Sequence, residues 1–443
     1  MSSIARRLIS WSSGPAVALW LLAVPGTAAA QAPVPSRVTL DEALARAAAN
    51  SHRLGELRAR EGAALAVVNQ RRAADMPIVS AEAGYQRTNH VQPYGFVQNG
   101  RLLVLYPDVP DNWRTRLDLY WPIYSFGRTA ALERAALAER DATGKDLDQA
   151  RADLRLEATR AFWALVTATE SVRVVSESVK RVDSQLSDVR ARFDAGFLPP
   201  NDVLTVEANL SRQETLLIDA RNQRDAARAE LARLMGVAVD ADFDVDATLD
   251  IPAESAAAVV GPMERADRVA LALRADAAAA RVDAAKAENK PSLNIAGGFD
   301  VARPNPRIFP RQDVWEDSWD IGVNLTWTIW NGGRTAAVVA EARHQHDAAR
   351  ERLSELDSQI ALEVRQRRLD ADSARAQVRT AEAGLRSAAE ARRVVAERFG
   401  AGVATSTDLL DAQVDQLEAE LDRTRALANV KLADARLARA LGR

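Results

Sequence analysis

Apolar and polar residues alternate from Trp113 to Trp121: Trp113, Thr115, Leu117, Leu119 and Trp121 stand against Arg114, Arg116, Asp118 and Tyr120. A period of two with one apolar face predicts a β-strand. The same pattern runs through Trp319, Ile321, Val323, Leu325 and Trp327, with Asp320, Gly322, Asn324 and Thr326 between them. Leu293 to Val301 repeats it more loosely, and a fourth strand is expected over Ile78 to Arg87, after Pro77. The segment between Arg87 and Trp113, marked by Pro93, Gly95, Gly100, Pro107 and Pro110, reads as a loop.

Elsewhere the period is helical. From about Ala130 to Phe193 a heptad places Leu147, Leu154, Ala161, Val175, Val182 and Val189 on one seam, and Ala158, Leu165, Val172, Val179, Leu186 and Phe193 on the other. At 1.5 Å per residue such a helix is ~95 Å long, far beyond the globular range. A second long helix ends at Phe399, with a weaker seam in which Arg367 and Arg392 replace apolar residues. Shorter helices are expected at about 40–74, with Thr39 as N-cap, and at 202–235, 263–289 and 408–441.

The two halves are copies. Arg192-Phe193-Asp194-Ala195-Gly196, followed by Asp202-Val203-Leu204, recurs as Arg398-Phe399-Gly400-Ala401-Gly402, followed by Asp408-Leu409-Leu410. The offset of 206 residues holds without a gap from Leu119/Leu325 to Gly236/Gly442. This tandem duplication divides the chain into a repeat at 31–236, an acidic irregular linker at 237–262 and a second repeat at 263–443. In each repeat the Arg-Phe segment is the turn of an antiparallel helical hairpin. Summed lengths suggest that two short helices stacked end to end run beside each long one.

Composition narrows the function. The net charge of −3 gives no electrostatic case for nucleic acid, and the absence of cysteine removes disulfides, thiolate metal sites and thiol catalysis. The four histidines form no metal pair: His344 and His346 point to different faces of a helix. No phosphate-binding glycine loop or nucleophile elbow is found, so the chain reads as no enzyme and needs no cofactor. Arg6 and Arg7, the apolar run Ala16 to Val24 and Thr27-Ala28-Ala29-Ala30 have the three regions of a signal peptide, placed at 1–30.

After Ala30 no run of about 18 apolar residues occurs, so entry into a membrane requires β-strands. The four strands have the length, the apolar face and the polar face of barrel strands. Trp113, Trp121, Trp315, Trp319, Trp327 and Trp330 lie in or beside them, as an aromatic girdle would. Four strands cannot close a barrel, which implies an oligomer; twelve strands from three copies or sixteen from four would leave a water-filled pore, eight from two would be nearly plugged, and geometry favours three or more.

Alternating strands, a Gly-Gly-Arg-like turn, the long helix, an Arg-Phe-x-x-Gly tip and an Asp-x-Leu restart, all duplicated over about residues 38–442, resemble the TolC-like outer membrane efflux protein family. The resemblance implies a mixed, mainly α fold. Coiled-coil hairpins would form a periplasmic α-barrel, and four strands per chain would join a trimeric twelve-stranded outer-membrane barrel. It also implies passive export, with a periplasmic adaptor and an inner-membrane transporter as partners. Carried over by position, Asp408 and Asp411 match the acids that ring the periplasmic aperture, with Asp202 as the first-repeat counterpart. Asp408 is equally suited to cap the last helix. Gly196, Phe197, Leu198, Gly402, Val403 and Ala404 are the candidate adaptor-contacting tips. A lock known in some relatives, joining a basic residue and a tyrosine to an aspartate, lacks its partners here, where Ala404 and Phe399 stand opposite Asp202. The rival reading is a periplasmic adaptor or structural coiled coil; the exported substrate is not legible.

Overall fold

The computed structural model describes residues 36–250 and 265–442. The signal peptide expected at 1–30 and the linker segment holding Pro252, Gly261 and Pro262 lie outside the described residues. In chain order the first repeat contains β1 (Arg37–Val38), α1 (Leu40–Asn50), α2 (His52–Ala73), β2 (Ile78–Arg87), β3 (Tyr94–Gln98), β4 (Arg101–Tyr106), β5 (Asp111–Tyr124), α3 (Arg128–Asp194) and α4 (Pro200–Met235). After β6 (Asp244–Val245) come α5 (Ala266–Ala287), β7 (Ser292–Arg303), β8 (Glu316–Thr326), α6 (Arg334–Gly400) and α7 (Ser406–Ala440).

Three expectations are corrected. The helix expected at 40–74 is two, because Ser51 leaves the helical region (φ −67°, ψ 114°) and caps α2 by accepting from the Leu54 amide. The loop between the first two strands contains the β3–β4 hairpin, turned at Asn99-Gly100 with φ of 51° and 74°. Both residues at positive φ are the mark of the tight turn that asparagine-glycine favours. Within the linker, β6 pairs in parallel with β1, so part of it is regular.

The duplication is visible in backbone geometry. Gly127 and Gly333 take φ of 90° and 84° at the entry to α3 and α6, and Gly196 and Gly402 take 79° and 77° at the hairpin turns. Each pair lies 206 residues apart. At the helix entries Ser125 Oγ accepts from the Thr129 amide, and Asn331 Oδ1 accepts from the Thr335 amide. Different side chains thus serve the same cap. At the turns the amides of Phe197 and Val403 donate to the carbonyls of Arg192 and Arg398, closing each helix around its glycine.

The helices form one layer. Along α3, α4 covers the tip half and α5 the strand half, tied by Arg190–Glu207 at 2.6 Å near the tip and Arg281–Glu139 at 3.2 Å near the strands. The end-to-end arrangement expected for α3 therefore holds. For α6 it does not hold within one chain. Only the tip half carries α7, through Arg375–Asp434 at 2.6 Å, while the strand half meets α5 through Arg268–Asp357 at 2.6 Å. α2 instead packs on α3, through Arg72–Glu133 at 2.6 Å. The strand-side order is α2, α3, α5, α6, and the tip-side order is α4, α3, α7, α6. Among the described residues no helix is long and apolar enough to cross a membrane.

Candidate functional site: the strand face and the hairpin tips

Strands β2, β5, β7 and β8 form an antiparallel sheet in that order. Its register lines up Val79, Leu119, Gly297 and Ile321 in one row, and Ala81, Leu117, Phe299 and Trp319 in the next. These residues share one face, and among the described residues nothing covers it: Val79 is 70% exposed and Ile321 66%. An exposed apolar sheet face this broad belongs against lipid or a partner.

The opposite face is charged. Glu82, Arg116, Asp300 and Ser318 form one row, and Ser80, Asp118, Gly298 and Asp320 the next. Asp300 accepts a bidentate pair from Arg114 at 2.7 and 3.0 Å and a third bond from Arg116 at 2.5 Å. Arg116 also reaches Asp118 at 2.6 Å and Asp320 at 3.3 Å by crossing Gly298. A Cβ there would stand 2.2 Å from the guanidinium, so glycine is what lets the arginine span three strands. Asn305 and Arg307, in the β7–β8 loop, bind Ser318 and Asp320 of the same face.

The six tryptophans are all exposed. Trp113 and Trp315 lie at the loop end of the sheet, Trp121, Trp327 and Trp330 at the helix end, and Trp319 stands midway between. Trp121 and Trp327 are repeat counterparts: their indole N–H groups donate to the carbonyls of Asp75 and Asn289, at 3.1 and 3.2 Å. Each indole therefore fixes the joint between a helix and the strand beside it.

At the tips, Gly196, Phe197, Gly402 and Val403 are exposed, with Phe197 at 80%, while Leu198 and Ala404 turn partly inward onto the tip cluster. That cluster joins both hairpins, packing Val182, Leu186 and Val189 against Phe399, Leu409 and Leu410. The Asp408 reading needs correction, because the N-cap of α7 is Thr405. Asp408 is the third helical residue, and its carboxylate accepts from the Thr405 amide at 2.8 Å while the Thr405 hydroxyl accepts from the Asp408 amide at 3.1 Å. This reciprocal box favours the charged carboxylate, and the Thr405 amide above all holds Asp408 below the usual carboxylate range. Asp411 is exposed one turn on. Asp202 is half-buried in a first turn that starts at Pro199-Pro200 with no side-chain cap. The tips are also joined by a contact that sequence reasoning missed. Arg192 donates to the Phe399 carbonyl at 3.3 Å and lies 5.0 Å from its ring centre. Among the described residues no group of acids and histidines could hold a metal.

A sheet bare on one face and charged on the other, hung from paired helices of ~100 Å, is the architecture that the comparisons recognise. The model of the outer membrane efflux protein family matches residues 43–237 and 264–443. The chain belongs to that family. TolC of Vibrio cholerae is 22% identical over 413 residues, covering 91% of this chain and 90% of TolC. The alkaline protease secretion protein AprF of Pseudomonas aeruginosa is 22% identical over 335 residues, covering 74% of this chain and 69% of AprF. Among solved structures, the outer membrane protein VceC of Vibrio cholerae has a TM-score of 0.77 at 20% identity, over 91% of this chain and 96% of VceC. An outer membrane efflux protein is a channel and not an enzyme, which sets the adaptor reading aside. This chain is the outer membrane duct of an export system, with a tunnel extending into the periplasm.

Proposed function

We propose that three copies form the duct, and that the free edges of the chain are what support this reading. The sheet ends on β2 and β8, and the strand-side helix layer ends on α2 and α6. An unpaired β-edge in lipid leaves backbone groups unsatisfied. Pairing β8 of one copy with β2 of the next removes both edges and brings α6 beside the next α2. Three chains of four strands make a twelve-stranded barrel with a water-filled lumen, into which the Arg116–Asp300 face turns. An inner-membrane transporter would deliver cargo through a periplasmic adaptor. The adaptor would meet the exposed Phe197 and Val403, with Gly196, Leu198, Gly402 and Ala404 shaping the turns around them. The repeats at 31–236 and 263–443 act as structural units about the linker, and the tryptophans at the two sheet ends sit at the membrane boundaries.

Fractionation tests the assembly: the protein is expected in the outer membrane fraction, running as a heat-sensitive trimer on a denaturing gel. A monomer band in unheated samples would sink the reading. The aperture is assigned to Asp408 and Asp411, supported by Asp202. In planar bilayers Asp408→Asn with Asp411→Asn is expected to raise conductance or lower cation preference several-fold. Because the folded Asp408 is held below the ordinary carboxylate value, its charge survives as the pH falls through that value. Its share of cation preference is lost only lower still. Unchanged ion selectivity in the double variant would remove the gate assignment.

A further inference from the structure

On the tip side, α3 and α7 are the two central helices of the layer, with α4 and α6 outside them. α1 and the β1–β6 ladder pack against α3 without entering the layer. Between α1, α3 and α7 lies an open groove of about 420 Å³. Its apolar lining comes from Leu44 of α1 and from Leu156 and Trp163 of α3. Two cations line it as well, Arg155 of α3 and Lys431 of α7, together with one acid, Asp41 of α1. Lys431 Nζ stands 5.3 Å from the centre of the Trp163 ring. Among the described residues neither Arg155 nor Lys431 has an acidic partner, whereas Arg439, which also lines the groove, is taken by Asp153 at 2.7 Å. The duplication shows that the helical fold does not require these side chains. At the 206-residue offset Arg155, Trp163 and Lys431 are answered by Ala361 and Leu369 of α6 and Asp225 of α4, which removes both cations and the ring.

We infer that this groove binds the acidic glycan of the cell wall, with a sugar ring against the Trp163 face and its carboxylates on Arg155 and Lys431. A concave site with an aromatic wall and a few placed charges is the usual form of a small-ligand pocket, and the two cations select for acid groups. Location supplies the occupant. Trp163 follows the first residue of α3 by 35 positions, which puts the groove roughly 50 Å below the sheet, within the periplasmic part of the duct. A duct at that depth has to pass the cell-wall polymer, whose amino sugars bear lactyl and peptide carboxylates. Elements crossing over the inner side of the tunnel would obstruct its bore, so the α1 side of the layer faces the periplasm. The inference rests on the trimeric reading above for one point: the α3–α7 seam is central in each chain, so copies joined at the outer helices leave it open. Each contact alone is weak, because partly exposed ion pairs contribute little and are screened by salt. Three grooves on one duct engage the same polymer together, and the retention multiplies.

Co-sedimentation of the full chain, purified in a non-ionic detergent, with isolated cell-wall sacculi tests the groove. The unaltered protein is expected to pellet with the sacculi, and to do so less as salt is raised. Chitin, whose amino sugars carry no carboxylate, is expected to retain several-fold less. Lys431→Asp with Trp163→Leu copies the residues of the other repeat and is expected to lower the bound fraction several-fold. The heat-sensitive trimer band and the single-channel conductance should stay as they are in the unaltered protein. Arg155→Ala, at an exposed position and again a copy of the other repeat, should fall between the two. The inference is overturned if the double variant pellets like the unaltered protein, or if chitin retains as much as sacculi. Should the double variant lose its trimer band, undiminished pelleting of Arg155→Ala overturns the inference instead. Absence of that band from the unaltered protein would bring down the trimeric reading, while the difference between Arg155→Ala and the unaltered chain on sacculi would still decide the groove.

Discussion

Arg265→Ala is expected to destabilise the chain by about 3–5 kcal/mol, the cost of leaving buried charges without their partner. Arg265 is 5% exposed and sits at the start of α5, where three helices of the second repeat meet. Its guanidinium binds Asp267 at 2.6 and 3.0 Å, Glu363 of α6 at 2.6 Å, and the Ala440 carbonyl at the end of α7 at 3.3 Å. Removing it takes the guanidinium from two carboxylates and a helix-terminal carbonyl together, leaving Asp267 with the Arg268 amide. Arg265→Lys should recover only part of the loss, because a single ammonium cannot replace the planar fork. Thermal unfolding in detergent, followed by circular dichroism, gives the measurement; an unchanged midpoint for the alanine variant would refute the assignment. The pH dependence supplies a second check. Burial is the largest influence on the Asp267 carboxyl and pushes it up, but the hydrogen bonds and charge of Arg265, the Arg268 amide and the Arg439 charge together hold the group below its usual range. A carboxyl lower in the folded than the unfolded chain adds stability that is complete above its unfolded value. That stability is lost as the pH falls through the folded value. Arg265→Ala should flatten this acid-side slope.

Asp300→Ala is expected to act at assembly. Asp300 is 2% exposed and joins β5 to β7, the two inner strands of the sheet, through Arg114 and Arg116. Without it Arg114 loses its acceptor, while Arg116 keeps Asp118 and Asp320. The loss is about 1–3 kcal/mol, because the Arg114 guanidinium is half exposed and Arg116 stays paired. The amount of heat-resistant assembly in the outer membrane should fall sharply, with Asp300→Asn intermediate because it keeps an acceptor and the shape. Wild-type amounts in the alanine variant would mean that neighbouring carboxylates suffice.

The large periodic elements were legible because two periods never compete in this chain. The alternation of β5 and β8 and the heptads of α3 each run long enough to outweigh local noise, and the 206-residue offset fixed their pairing. What escaped reading was decided by single side chains. Ser51 reads as another helical position until its hydroxyl is seen to cap α2. Asn99-Gly100 carried a hairpin signal, hidden because the strands that it joins are 5 and 6 residues long. An aspartate is the stronger sequence signal for a cap, so Asp408 masks Thr405, whose hydroxyl makes the bond. The Arg192–Phe399 contact crosses 207 positions of sequence, and nothing in the pattern of either tip announces it.

The indole bonds of Trp121 and Trp327 acquire a mechanical meaning from the helices below them. Each long helix is a lever of ~100 Å pivoting at the sheet, so a tilt of about 2° at the pivot sweeps its far end through about 3.5 Å. An opening a few ångströms wide is thus governed by angles too small to notice at the hinge itself. Trp121 and Trp327 stand just before α3 and α6, and their bonds to Asp75 and Asn289 tie the root of each lever to the end of a short helix, α2 or α5. Displacement at the far end then has to come from sliding between levers rather than from wobble at the root.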